Sequence, residues 1–201
     1  MAPKYLMRIV REPMPGKAFE LMEAVIEQRK QMGIAEGLTT VSIASPRMLV
    51  VSSTPYEELS ELEARVGGIF DREEARASWD KVGSLASSTV NNLSRVIVPP
   101  EGIETANYIQ RYIFNPAPGS RRNLLAALVE FAEQSEGPRA GITGSVNSPA
   151  IVASIAVGSL SDLEGGWDRL QNDAGTMTRA NSVVGHCESW TSGIARVVSR
   201  P

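Results

Sequence analysis

"YLMRIVREPMPG" (Tyr5–Gly16) and "YIQRYIFNPAPG" (Tyr108–Gly119) say nearly the same thing 103 residues apart. Tyr5, Arg8, Pro13, Pro15 and Gly16 fall in the places of Tyr108, Arg111, Pro116, Pro118 and Gly119, and Leu6/Ile109 and Val10/Ile113 are near-equivalents. Unrelated segments match at about one position in twenty. An internal repeat is therefore the first fact of this chain, and it decides the architecture.

The match continues. Leu21, Met22, Val25 and Ile26 form one apolar helical stripe, and Leu124, Leu125, Leu128 and Val129 form the same stripe at the same offset. "SIASPRMLVV" (Ser42–Val51) and "SVNSPAIVAS" (Ser145–Ser154) share Ser45-Pro46 and Ser148-Pro149. "LSELE" (Leu59–Glu63) answers "LSDLE" (Leu160–Glu164), and "SRVIV" (Ser94–Val98) answers "ARVVS" (Ala195–Ser199), both at an offset of 101. An offset that slips by so little reads as duplication with small loop changes.

Each repeat predicts strand, helix, strand, strand, helix, strand. The first strand is Lys4–Arg11, and Pro15-Gly16 ends it. A helix starts near Lys17 and stops near Gly33 or Gly37. Strands follow over Leu38–Ala44 and Arg47–Ser53, split by Ser45-Pro46. "TPYE" predicts a helix start, with Thr54 as cap, Pro55 first in the helix and Glu57 closing a capping box; "SLSD" (Ser159–Asp162) does the same in the second repeat. "DREE" predicts a second start, with Asp71 capping and Glu74 answering, and a helix to about Asn91. Strand four is Leu93–Val98, and "PPEG" (Pro99–Gly102) links the repeats.

The expectation is an α+β fold of two ferredoxin-like β-α-β-β-α-β repeats, residues 1–101 and 102–201. Helices cover one face of each sheet. The other face needs a partner, so the repeats are expected to pack sheet to sheet as an intramolecular α/β barrel.

Composition excludes several functions. The chain has 201 residues, 42% apolar and 21% charged, with a net charge of −3. Its basic residues are scattered, which argues against a nucleic-acid partner and against docking on an anionic membrane. One cysteine, Cys187, allows no intrachain disulfide, so a cytoplasmic location is expected. No signal-peptide run and no membrane-spanning apolar stretch is present.

The opening of each repeat resembles the NIPSNAP-like branch of the dimeric α/β-barrel superfamily, which also holds antibiotic-biosynthesis-monooxygenase-like proteins. Tyr108, Arg111, Ile113, Pro118 and Gly119 carry the likeness, together with "EEARASWDKV" (Glu73–Val82), its Trp79, and "RVIVPP" (Arg95–Pro100). The resemblance implies a barrel that binds small molecules. Its members include cofactor-independent monooxygenases, isomerases, haem-binding proteins and proteins without known activity. Haem-degrading members bring together a strand-one Asn, a helix Trp and a His. Strand one here has no Asn before Asn115, Trp167 and His186 are far apart, and the first repeat has no His, which counts against that mechanism.

Among candidate site residues, Arg8 and Arg111 stand in aliphatic strand faces, and Arg95 and Arg196 match each other on strand four. A buried guanidinium must meet a carboxylate, a carbonyl or a ligand. One reading is therefore an anion-binding set of Arg8, Arg111, Arg95 and Arg196, with Tyr112 lining the pocket; the other is a structural ion pair, or a guanidinium capping the barrel end. His186 is the weak catalytic candidate, or a residue at a helix end whose counterpart is Leu85. Cys187, whose counterpart is Ala86, reads as a nucleophile or as a small core residue. No metal site is expected, because adjacent His186 and Cys187 diverge on a helix. The ligand expected is a small, mostly apolar, weakly acidic molecule, without a cofactor. The protein is then a cofactor-independent monooxygenase or isomerase, a non-catalytic binding or assembly protein with a filled barrel, or a haem-binding barrel. Self-association into a homo-oligomer suits barrels of this kind.

Overall fold

The computed structural model describes residues 3–45, 47–134 and 138–200. Among them the elements run β1 (Tyr5–Pro13), α1 (Ala18–Gln31), β2 (Leu38–Ala44), β3 (Val50–Tyr56), α2 (Leu59–Asp71), α3 (Glu73–Ser84) and β4 (Ala86–Val98). Then come β5 (Tyr108–Pro116), α4 (Arg121–Gln134), β6 (Gly141–Ser145), β7 (Ile151–Val157), α5 (Ser161–Asn172), α6 (Ala174–Gly185) and β8 (Cys187–Ser199). The fold is α+β with antiparallel pairing, and among the described residues no helix is long and apolar enough to cross a membrane. Two compact units form: unit 1 runs up to Ser94 and includes the stretch from Arg196, and unit 2 is Arg95–Ala195. Both β4 and β8 therefore contribute residues to each unit.

In unit 1, β1 pairs antiparallel with β3, Arg8 opposite Ser53 and Arg11 opposite Val50, and β3 pairs with β2, Ser53 opposite Leu38 and Ser52 opposite Thr39. In unit 2, β5 pairs with β7, Arg111 opposite Ser154 and Phe114 opposite Ile151, and β7 pairs with β6, Ser154 opposite Gly141 and Ala153 opposite Ile142. The two registers agree residue for residue, so each position in one unit has a defined counterpart in the other.

Side chains alternate across a strand. One face of the unit 1 sheet carries Arg11, Val50, Ser52, Thr54 and Tyr56; the other carries Arg8, Val51 and Ser53. Helices cover the first face. Leu21, Ala24 and Val25 of α1 and Val82 of α3 pack on Val41 and Val50, with Val198 of β8 at the margin. In unit 2, Leu124, Leu128 and Ala132 of α4 and Val183 of α6 pack on Phe114, Ile142, Ile151 and Ala153, joined by Val98 of β4. Each fully buried aliphatic or aromatic side chain here contributes about 1.5–3 kcal/mol. The predicted helical stripes are the buried ones: Leu21, Val25 and Leu124 are wholly enclosed. Gly16 and Gly119 close the two Pro-Gly turns with φ of 77° and 76°, a left-handed backbone that glycine adopts freely.

Several expectations are corrected. Thr54, Pro55 and Tyr56 finish β3 instead of starting a helix. Pairing of β3 with β2 ends at Ser53, so Pro55 has only β1 beside it and its missing N–H leaves that side of the ladder intact. Helix α2 starts at Leu59, where the Glu57 N–H donates to the Glu61 carboxylate at 3.1 Å. Asp71 is the last residue of α2 and caps nothing; extended Arg72 separates α2 from α3, its Nε donating to the Gly68 carbonyl at 3.0 Å. Helix α3 ends at Ser84, and β4 already starts at Ala86. "SSTV" (Ser87–Val90) has no helical stripe and suits a strand, with Ser87 Oγ donating to the Glu12 carbonyl at 3.1 Å. The second repeat keeps its capping box: the Ser159 N–H donates to Asp162 Oδ2 at 2.8 Å, and the Asp162 N–H to Ser159 Oγ at 3.3 Å. Pro46, half of the predicted Ser45-Pro46 turn, lies outside the described residues.

Candidate functional site

Ser52, Thr54 and Tyr56 are successive residues on the helix-covered face of β3, and each engages one arginine. Arg11 Nη1 of β1 donates to Ser52 Oγ at 3.1 Å. Arg29 Nη1 of α1 donates to Thr54 Oγ1 at 3.0 Å, and its Nη2 to the Glu36 carbonyl at 2.5 Å. Arg65 Nη1 of α2 donates to the Tyr56 hydroxyl at 3.2 Å, with its guanidinium 5.1 Å from the centre of that ring. The Arg11 guanidinium lies 5.7 Å from the centre of the Trp79 ring on α3.

Arg11 is 1% exposed and Arg29 7%. Among the described residues no carboxylate lies within ion-pair distance of Arg11, Arg29 or Arg65. Burial, seconded by the Arg29 charge, pushes Arg11 down to about 10. Burial, seconded by Arg65, also pushes Arg29 down. Both stay cationic at neutral pH, as guanidinium groups do in proteins. Uncompensated buried charge is expensive. Among the described residues, three further buried polar atoms of unit 1 have no hydrogen-bond partner: Thr39 Oγ1, on the residue opposite Ser52, Gln28 Nε2 of α1 and Trp79 Nε1 of α3.

Unit 2 resolves the same positions differently. In the shared register Arg11 corresponds to Phe114, Thr39 to Ile142, Ser52 to Ala153 and Thr54 to Ile155. Along the matched 14-residue helices, Arg29 corresponds to Ala132 and Gln28 to Phe131. Where unit 2 has an ordinary apolar core, unit 1 buries cations and hydroxyls.

Arg8 and Arg111 occupy equivalent places on the opposite face, each across from a serine, Ser53 or Ser154, whose hydroxyl is buried without a hydrogen-bond partner. Arg8 is buried, and burial pushes Arg111 down to about 10. Arg95 and Arg196 are exposed. Tyr112 points to the face of β5 that Arg111 does not share. Its ring stacks on Phe114 at 6.1 Å and lies 6.3 Å from Trp190; burial pushes its phenol up, and the Trp167 indole hydrogen-bonds to it. His186 caps α6, its carbonyl accepting the Ala117 N–H at 3.0 Å, as the Leu85 carbonyl accepts that of Met14 at 2.9 Å. The Cys187 thiol donates to the Val183 carbonyl at 3.2 Å, and burial raises its pKa, which keeps it protonated and poorly nucleophilic. No group of three metal-donor side chains occurs among the described residues.

Sequence reasoning singles out the matched arginines and passes over Arg11, Arg29 and Arg65. The signal that finds them is mismatch: a cation in one repeat where the other has Phe114 or Ala132.

No protein-family model and no curated protein matches the chain. Solved structures do. A candidate monooxygenase from Fusobacterium nucleatum subsp. nucleatum is 8% identical with a TM-score of 0.75, over 98% of this chain and 94% of that one. An anthrone oxidase-like protein is 16% identical with a TM-score of 0.70, over 99% and 92%. A haem-binding protein from Thermus thermophilus is 11% identical with a TM-score of 0.54, over 99% and 92%. At such identities the likeness shows the ferredoxin-like α+β fold. Haem needs an axial ligand. The His186 carbonyl serves a helix end as the Leu85 carbonyl does in unit 1, and the Cys187 thiol donates to the Val183 carbonyl.

Proposed function

We propose that this chain is a small-molecule-binding protein whose ligand has an apolar body and one acidic group, the acidic group resting on Arg11, Arg29 and Arg65 of unit 1. One observation carries the reading: the chain buries Arg11 and Arg29 without a carboxylate, at the positions where unit 2 builds its apolar core. Selection for stability alone favours the unit 2 solution. Should the protein turn its ligand over, the fold it shares with a candidate monooxygenase and an anthrone oxidase-like protein favours a cofactor-independent oxygenase or isomerase. We also hold the repeats to be a tandem duplication, supported by their common register, that packs sheet to sheet as an intramolecular barrel.

The test is a calorimetric titration with 2-naphthoate and with anthrone, followed in an oxygen electrode. Saturable binding that disappears in Arg11→Met is the expected result. Failure of both compounds and of 2-naphthyl phosphate to bind saturably overturns the reading. Binding without oxygen uptake assigns the protein to the non-catalytic binding class. A haem titration is expected to leave the Soret band unshifted, and a stable shift overturns the cofactor-free assignment.

A further inference from the structure

Resting on the reading of Arg11, Arg29 and Arg65 as a ligand site, we propose that the acidic group bound there is a tetrahedral dianion, a phosphate monoester or phosphate itself, with one site per chain.

The charge balance points this way. Three guanidinium groups, from β1, α1 and α2, engage three hydroxyls on alternate residues of a single strand. Alternate residues on a strand lie about 6.6 Å apart, so the cations fan over a short span. Arg29 sits close enough to act electrostatically on Arg11, and Arg65 on Arg29. A carboxylate brings one charge and two oxygens in a plane, enough for one guanidinium fork. It would leave the other cations repelling each other in a buried setting. A phosphate monoester brings about two charges and three terminal oxygens directed away from the ester bond. That geometry serves several guanidinium groups at once.

The unused polar atoms agree. Gln28 Nε2 and Trp79 Nε1 are donors, and the Thr39 hydroxyl can donate; none has a hydrogen-bond partner among the described residues. Thr39 is fully buried and Gln28 nearly so. A cluster rich in donors and holding no carboxylate suits a ligand group that only accepts hydrogen bonds. The Trp79 ring, against which Arg11 lies, supplies an apolar wall for the ester's organic part.

The single-site claim follows from unit 2. Its counterparts Phe114, Ala132 and Ile155 offer neither charge nor hydroxyl, and Phe114 and Ala132 pack with Leu124, Leu128 and Val183 in the core.

The experiment compares 2-naphthyl phosphate, inorganic phosphate and 2-naphthoate by calorimetry at matched ionic strength, on the whole chain. The expected result is a stoichiometry of one, with 2-naphthyl phosphate about tenfold or more tighter than 2-naphthoate, and with inorganic phosphate competing. Arg29→Met and Arg65→Met should each weaken the phosphate ester more than the carboxylate, while Arg122→Met on the exposed face of α4 leaves both unchanged. Arg65 is only partly buried, so its variant reports on the site even if Arg29→Met misfolds. Equal or weaker binding of the phosphate ester overturns the dianion assignment and leaves the ligand site standing. Failure of all three compounds overturns both. Two sites per chain, or phosphate binding indifferent to Arg29 and Arg65, also overturns the proposal. Competition by inorganic phosphate at the ester's own affinity identifies free phosphate as the ligand; weak competition identifies the ester.

Discussion

Arg11 and Phe114 hold the same position on equivalent strands: Arg11 faces Val50 across β1 and β3, and Phe114 faces Ile151 across β5 and β7. One fold thus accepts a buried cation and a buried aromatic at one place. The apolar version is the cheaper, because hydrophobes in place of buried ionic groups are often neutral or stabilising, by about 1–4 kcal/mol where whole ion pairs are replaced. Arg11→Met is expected to raise the stability of the free protein by an amount in that range, measured by urea unfolding. It should abolish ligand binding in the same preparation. A loss of stability would show that the chain already compensates the Arg11 charge.

The same arginine predicts a pH dependence. Burial, seconded by the Arg29 charge, pushes its guanidinium down to about 10 in the folded chain, below the ordinary arginine value. Between those values the unfolded chain binds a proton that the folded chain has released. Stability from this group therefore rises with pH across that window and is lowest below it. Arg111, likewise pushed to about 10, adds a slope of the same sign. The readout is a difference: the unfolding free energy of the native chain should gain on that of Arg11→Met as the pH rises above about 10 towards the ordinary arginine value. Parallel curves would refute the assignment.

Gly37 and Gly16 both have positive φ, 91° and 77°, but only Gly37 is crowded. A Cβ on Gly37 would sit 2.0 Å from the Ser53 carbonyl oxygen, whereas a Cβ on Gly16 meets nothing within 4 Å. Gly16→Ala should lose about 1–2 kcal/mol, the ordinary penalty of a left-handed backbone. Gly37→Ala should lose clearly more, because β3 must also shift away from the loop, and Ser53 and Thr54 shift with it. Thermal unfolding of the two variants separates the effects, and equal losses would contradict the close approach.

Much of the fold is legible in the sequence, and the reasons are local. Alternation marks β1, the i, i+4 stripe marks α1 and α4, and β2 begins and ends where its pattern does. Thr54-Pro55 misleads because a capping signature and a strand end use the same residues; only the length of β2 decides between them. Residues Ser87–Val90 mislead because β4 is long enough to leave the region where apolar alternation is needed. Repetition points to Arg8 and Arg111 as the important arginines. Repetition identifies what the fold requires of both halves. Arg11 and Arg29 depart from the repeat, and a departure becomes visible only once the register shows that their counterparts are core.

The capping box of α5 is a reciprocal pair of hydrogen bonds, Ser159 with Asp162. Unit 1 has no such pair at α2, where the cap residue Glu58 makes no side-chain cap bond. Ser159→Ala should lose about 1 kcal/mol, whereas Glu58→Ala should change stability by less than half of that. Chemical denaturation of both variants decides, and equal losses would show that the box does not hold the helix start.

Tyr112 supplies the last test. Its phenol is pushed above the ordinary tyrosine value by burial, against a smaller opposing effect of the Trp167 hydrogen bond. An acid whose folded pKa lies above its unfolded pKa stabilises the fold below the unfolded value, near 10. That stabilisation is lost as the pH rises through the folded value. In a spectrophotometric titration of the phenolate absorbance, Tyr112 should contribute a phase above the ordinary tyrosine value. Tyr112→Phe should remove that late phase and leave Arg11-dependent binding intact, because Tyr112 belongs to the core of unit 2 and Arg11 to unit 1. Loss of binding in Tyr112→Phe would place the ligand in unit 2 and overturn the division of labour between the two repeats.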